Sequence, residues 1–147
     1  MQHLFVVRHG NYDNSGGLTH SGRGQISRVG EFLKPQVEGK QTKLLTSTAI
    51  RASQSADIIG EILGVKPVAA GVLWSESDWQ YQPDQALALV QEHDAEVIIV
   101  VTHYEYAEAF PDFVAQKLLG LKPGKRMMSK GGLCHIDIVS RLVRYPI

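Results

Sequence analysis

The run of residues 96–101 constrains the fold more than any other segment of the chain. Glu96 is followed by the aliphatic residues Val97, Ile98, Ile99, Val100 and Val101, so a strand formed here is apolar on both faces. Strands of this kind lie in the centre of a parallel sheet, where helices cover both sides. The run is too short to cross a bilayer. The sequence therefore predicts a central strand that ends at Thr102 and His103.

Shorter strands and amphipathic helices alternate along the rest of the chain. Further strands are predicted at residues 4–7, 43–46, 67–70 and 134–139, the third of them at a sheet edge. Apolar residues at helical spacing lie between most of these runs. The alternation predicts a three-layer α/β domain with about five strands.

The helix ends follow from capping residues, glycine and proline. We expect Thr19 to cap the first helix and Pro35 to end it. The second helix should end at Gly64. Asp84 is expected to cap the third, and the fourth should begin near Pro111, because proline favours the first helical turn.

Composition and charge restrict the classes of partner. The 147 residues include 15 Lys+Arg and 15 Asp+Glu, which suits a single domain spanning residues 1–147 with no net charge. This balance disfavours nucleic-acid binding and an anionic membrane surface. The first residues lack the features of a signal peptide, and Cys134 is the only cysteine. We therefore expect a cytoplasmic protein.

Two predicted strands end in a histidine, and a third leads to an arginine. Arg8 and His9 follow the first strand, and His103 follows the central one. Because ligands bind beyond the carboxyl ends of strands in open α/β sheets, these side chains should share a pocket. Arg51 is expected in the first turn of the second helix, where a cation opposes the helix dipole unless an anion lies nearby. The pattern favours an anion site.

Four ordered motifs carry a resemblance to a known family. They are Arg8-His9-Gly10, residues 18–25 (LTHSGRGQ), residues 47–56 (STAIRASQSA) and Thr102-His103. In this order they resemble the histidine phosphatase superfamily, which includes the phosphoglycerate mutases and the small SixA-type phosphohistidine phosphatases. The resemblance implies a mainly parallel central sheet with helices on both sides, in a three-layer α/β/α sandwich.

The resemblance also implies roles for individual residues. His9 would be the nucleophile that forms a phosphohistidine intermediate, and Arg8, Arg51 and His103 would bind the phosphate. Asn11 could donate a further hydrogen bond to it. The scheme needs no metal and no cofactor.

A carboxylic acid after the third strand should protonate the leaving group. Glu76 is the candidate, and Asp78 is a close second. Glu105, two residues after His103, would repel phosphate if it faced the pocket, so we expect it to point away.

The short chain favours an open site, and hence a phosphorylated protein or a small phosphomonoester as substrate. Two alternatives of the same family remain: an inactive phosphate-binding adaptor domain and a phosphoglycerate mutase-type phosphotransferase. A third alternative places a metal between His9, His103, Glu76 and Asp78, although Arg8 and Arg51 would add positive charge beside that cation.

Overall fold

A six-stranded mixed sheet forms the centre of the computed structural model. The structure describes residues 1–77 and 79–147 in full and only the backbone of Asp78. The strands follow the order β3-β2-β4-β1-β5-β6, in which β1 to β4 run parallel and β5 and β6 are antiparallel to their neighbours. Their bounds are β1 His3–Arg8, β2 Thr42–Thr46, β3 Pro67–Ala69, β4 Val97–Thr102, β5 Leu133–Asp137 and β6 Leu142–Arg144.

Two helices cover each face of this sheet. On one side α1 (His20–Val37) and α2 (Ile50–Leu63) pack against the sheet, and on the other side α3 (Pro83–Glu92) and α4 (Tyr104–Val114) do so. Every residue of β4 is buried, as its apolar character on both faces predicts. The three-layer α/β/α fold expected from the sequence is confirmed, with one strand more than the five predicted.

Two prolines lie inside helices that they were expected to bound. α1 continues past Pro35 to Val37, and α4 begins at Tyr104 and passes through Pro111. Pro35 is exposed, so the carbonyl that loses its helical partner can be hydrated, and the buried Val37 holds the last turn. Around Pro111, burial of Phe110 and Val114 in the core outweighs the lost hydrogen bond. Both predicted boundaries were wrong because tertiary packing overrides local preference.

The C-terminal strands and the start of α3 also differ from expectation. β5 ends at Asp137 rather than residue 139, because a turn with Arg141 at a φ of 57° leads into β6. β6 is exposed and partly polar, and it was not predicted for that reason. The N-cap of α3 is Gln82, with Asp84 in the first turn rather than at the cap. Thr19 and Gly64 cap α1 and α2 as expected.

The sheet order brings the carboxyl ends of three strands together. β4 lies between β2 and β1. Ser47 follows β2, His103 follows β4 and His9 follows β1. These residues therefore meet at one edge of the sheet. None of the helices in the described part of the chain is both long and apolar enough to span a membrane.

Candidate active site

Two imidazole rings and one guanidinium meet beyond the carboxyl ends of β1 and β4. Nε of Arg51 lies 3.3 Å from Nε2 of His9, and Nη2 of the same arginine lies 3.3 Å from Nδ1 of His103. The two imidazole centroids are 5.2 Å apart. The expected convergence of these three side chains is therefore present.

The hydrogen bonds of His9 assign its tautomer. Nδ1 lies 2.9 Å from the carbonyl oxygen of Gly10, and since a carbonyl only accepts, Nδ1 carries the proton. Nε2 then holds a lone pair, which accepts the Nε–H of Arg51. Burial, with the nearby cations Arg51, Arg8 and Lys130, lowers the pKa of His9 from 6.5 to about 4, against the opposing effect of the Gly10 hydrogen bond. The ring is therefore neutral at physiological pH, as a nucleophile must be.

Ser47 fixes the orientation of the second histidine. Its Oγ lies 2.6 Å from Nε2 of His103. Because the guanidinium of Arg51 can only donate, Nδ1 of His103 accepts from it and Nε2–H donates to Ser47. Burial lowers the pKa of His103 to about 3, and the neighbouring His9 and Arg51 add to the effect.

Close backbone approach explains the glycine after His9. A Cβ on Gly10 would lie 2.6 Å from the carbonyl oxygen of Gly22, and one on Gly22 would lie 2.0 Å from that of Asn11. The loop after β1 and the start of α1 therefore touch backbone to backbone. The buried Ser55 joins this loop to α2, since its Oγ accepts from the Gly10 N–H and donates to the carbonyl of Arg51. His9 and Arg51 are thus held in one unit.

The guanidinium of Arg8 is anchored by the C-terminal part of the chain. Its Nη1 donates to the carbonyl of Met128 at 2.7 Å, and its Cζ lies 5.1 Å from the centre of the Tyr104 ring. Nε of Arg8 is buried and has no hydrogen-bond partner among the described residues. Burial lowers the pKa of Arg8, while Tyr104 and Glu105 counteract that shift. A buried donor without a partner is explained if a ligand supplies the acceptor.

These groups line one open cavity of about 390 Å³. Glu76 is at its rim, with Oε1 3.3 Å from Nη2 of Arg51 and a side chain that is 55% exposed. The carboxylate is therefore within reach of both the pocket and the solvent. The side chain of Asp78, the second acid considered from the sequence, lies outside the described residues. The residues lining the cavity are Arg8, His9, Tyr12, Arg51, Ser75, Glu76, His103, Tyr104 and Glu105.

Two sequence predictions differ from this arrangement. Glu105 was expected to point away, but it lines the cavity, and its Oε1 is buried without a partner among the described residues. The first turn of α4, which starts earlier than predicted, carries it inward. Asn11 is not among the lining residues; its side-chain amide donates to Ser21, and its backbone carbonyl accepts from the Thr19 N–H. Asn11 shapes the loop rather than the pocket surface.

Two further residues of the site, Tyr12 and Ser75, were not identified from the sequence. The ring of Tyr12 packs edge-on against His9 at 5.3 Å and lies beneath Arg51 and Lys130, at 4.7 and 5.1 Å from their cationic groups. Ser75 lines the cavity with a buried hydroxyl that has no partner among the described residues. Only the proximity of Tyr12 to the first motif, and of Ser75 to Glu76, could have suggested them.

The same geometry bears on the metal alternative. A guanidinium, rather than open space, lies between the rings of His9 and His103, and it also contacts Glu76. A divalent cation at that position would have to displace Arg51. The arrangement suits an anion instead, because Arg8 and Arg51 bring guanidinium donors to the cavity and the charge of Lys130 acts on His9 from nearby.

Comparison with solved structures identifies the fold as that of the histidine phosphatases. The protein histidine phosphatase SixA in complex with tungstate superposes with a TM-score of 0.68 at 19% identity, over 99% of this chain and 94% of that one. A mycobacterial glucosyl-3-phosphoglycerate phosphatase gives a TM-score of 0.69 at 18% identity, over 100% and 98% of the two chains. No family model matches the sequence. No curated protein matches it either.

Proposed function

We propose that the chain is a phosphatase that works without a metal and forms a phosphohistidine intermediate on His9. The observation that carries this proposal is the neutral His9 ring, whose Nδ1–H is held by Gly10 and whose Nε2 faces a pocket with arginine donors. A second support is that structures of the same fold hold phosphate-like oxyanions, tungstate in SixA and vanadate in a mycobacterial glucosyl-3-phosphoglycerate phosphatase.

The reaction proceeds in two displacements. Nε2 of His9 attacks phosphorus as the bond to the leaving group breaks, and water later cleaves the P–N bond to release phosphate. Arg8, Arg51 and His103 stabilise the charge that develops on the three equatorial oxygens. For this to occur, Arg51 must turn its Nε–H from His9 toward the phosphate, which frees the nucleophilic lone pair.

Two acids are placed to protonate the leaving group. Glu76 lies at the rim beside Arg51, and Glu105 lies against the cavity with one oxygen that has no partner among the described residues. We propose Glu76 as the donor, because its exposed position faces the side from which a substrate enters. Glu76→Gln should slow turnover most for substrates with a basic leaving group, whereas Glu105→Gln should leave that dependence unchanged. If turnover by Glu105→Gln depended more strongly on leaving-group basicity than turnover by Glu76→Gln, Glu105 would be the proton donor instead.

A phosphohistidine protein is the proposed substrate, with small phosphomonoesters as weaker ones. Half of the Glu76 side chain is exposed, and Ile50, next to Arg51, is 56% exposed. A protein side chain can therefore approach while its backbone stays outside the cavity. The protein is proposed to act in the cytoplasm, as a single domain over residues 1–147.

The test is hydrolysis of an aryl phosphate and of a phosphohistidine peptide, with and without a chelator. Wild-type turnover should be unaffected by the chelator, and His9→Ala should lower it by about 10³-fold or more. His93→Ala, which lies at the end of α3, is the matched control and should retain activity. Acid quench during turnover should trap an acid-labile phosphate on the wild type that is missing from His9→Ala.

An adaptor domain is the second candidate, favoured by the Glu105 carboxylate inside the cavity. A carboxylate there repels the negative charge that develops on the phosphoryl oxygens in the transition state, and so it opposes turnover. If vanadate binds but neither substrate is hydrolysed, the adaptor function replaces the phosphatase. Loss of turnover with the chelator, restored by a divalent ion, would instead show that the reaction depends on a metal.

A further inference from the structure

A second group of ligand-type side chains lies at the other end of β1. His3 begins β1, while His135 and Asp137 lie on β5. The antiparallel register pairs His3 with Asp137 and Phe5 with His135, so these side chains share one face of the sheet. The five-residue step from His3 to Arg8 spans about 16 Å of strand. The cluster is therefore separate from the cavity that holds His9.

Three potential ligand atoms in this cluster face one another. Nδ1 of His3 lies 3.0 Å from Nε2 of His135 and 3.9 Å from Oδ1 of Asp137. All three ligand atoms are within 4.8 Å of one another. Tetrahedral zinc with bonds of about 2.0–2.1 Å requires ligand atoms about 3.3 Å apart. Small side-chain rotations would therefore bring the set into coordination geometry.

We propose that His3, His135 and Asp137 bind one divalent ion of the zinc class, with a solvent-facing position left for water. Two imidazoles and one carboxylate are a donor set preferred by Zn²⁺ and its first-row neighbours rather than by Mg²⁺ or Ca²⁺. In the part of the chain that the structure describes, this is the one group of three such side chains close enough to share an ion.

The surroundings hold two of the ligands in place. His135 stacks on Phe5 with a centroid distance of 4.3 Å, and Oδ1 of Asp137 accepts from the Ser140 N–H at 2.9 Å. Outer contacts of this kind orient ligands and raise affinity.

Two cations limit the affinity of the site. Nη1 of Arg144 lies 4.0 Å from Oδ2 of Asp137, and both Arg144 and Lys40 act on His135 through their charge. Removing one cation should therefore strengthen binding. Arg144→Gln is a sharp test, since 53% of that side chain is exposed and the change removes the charge without opening the core.

The experiment uses the untagged full chain, stripped of metal with a chelator and then titrated. Calorimetry with Zn²⁺ and visible absorption with Co²⁺ should both show binding that saturates at one ion per chain. This signal should depend on the side chains of His3, His135 and Asp137 and not on His9. His3→Gln and Asp137→Asn should each weaken binding by at least about tenfold. Arg144→Gln should strengthen it several-fold, whereas the control His93→Gln should leave it unchanged.

A second measurement does not depend on the folding of any variant. In the wild-type protein, Co²⁺ should broaden the imidazole resonances of His3 and His135 before those of His9 and His103.

The variants give a third measurement. Zn²⁺ should raise the Tm of the wild type but not that of Asp137→Asn, and His9→Ala should still bind the ion. Equal affinity in the wild type, His3→Gln and Asp137→Asn, or first broadening at His9, would overturn the proposal while leaving the phosphatase function untouched.

Discussion

At the scale of single residues, both histidines of the cavity have neutral rings at neutral pH. Burial is the main cause of their low pKa values, about 4 for His9 and about 3 for His103, and the nearby Arg51 adds to the shift in both rings. A neutral ring at position 9 keeps a lone pair on Nε2 at every physiological pH. The proposed attack on phosphorus requires that lone pair.

The first prediction concerns the titration of these rings. Nitrogen-15 NMR should give midpoints near 4 for His9 and near 3 for His103, far below the 6.5 of an ordinary imidazole. Since the unfolded chain binds these protons near pH 6.5, it holds more protons than the folded chain between about pH 4 and 6.5. The free energy of unfolding should therefore be full above pH 6.5 and fall as the pH drops through that window. A midpoint near 6.5 for His9 would contradict the assignment.

The second prediction concerns Ser47, which positions His103 through its hydroxyl group. Ser47→Ala should reduce kcat about tenfold or more with a smaller change in KM, because the Nε2–H of His103 loses its acceptor and only Arg51 still orients the ring. The nitrogen-15 shifts of His103 should move toward a mixture of tautomers. Ser53→Ala, on α2 and outside the cavity, is the matched control. If the His103 shifts stay at wild-type values in Ser47→Ala, Ser47 has no positioning role.

At the scale of elements, the start of α1 supports the loop that carries His9. The third prediction compares two glycines of α1. Gly22→Ala places a Cβ 2.0 Å from the Asn11 carbonyl oxygen and should cost about 1–3 kcal/mol of stability together with most of the activity. Gly24→Ala meets no atom within 4 Å and should stabilise the helix by up to about 1 kcal/mol.

Urea unfolding measures the stability of both variants, and turnover measures their activity. Equal effects of Gly22→Ala and Gly24→Ala would show that the contact between the loop and α1 does not hold the site together.

Elements also show how far the sequence could predict the structure. The apolar run 97–101 and the capping residues Thr19 and Gly64 predicted β4 and two helix ends, because each signal is local. The convergence of His9, Arg51 and His103 followed from strand ends and family motifs. The direction of the Glu105 side chain could not be predicted, because it depends on the residue at which α4 begins. Core packing, rather than Pro111, determines that residue.

At the scale of the whole molecule, the sheet separates two hydrophobic cores. Ile59 belongs to the core beneath α1 and α2, and Ile136 belongs to the one beneath α3 and α4. The fourth prediction is that Ile59→Val and Ile136→Val each cost about 0.5–1.5 kcal/mol and add within about 0.5 kcal/mol in the double variant. Denaturant unfolding of the four proteins measures this additivity. If the loss of stability in the double variant differed from the sum of the two single losses by more than about 1 kcal/mol, the two cores would not be energetically independent.

The backbone N–H of Gly131 donates to the carbonyls of both Arg8 and His9, and the N–H of Arg8 donates to the Gly132 carbonyl. The loop that carries His9 is thus held by peptide groups far away along the chain, next to β5. Until β5 has paired with β1, the backbone on both sides of His9 lacks these partners. A partly folded chain without that pairing should therefore not hold His9 in the position that the proposed reaction needs.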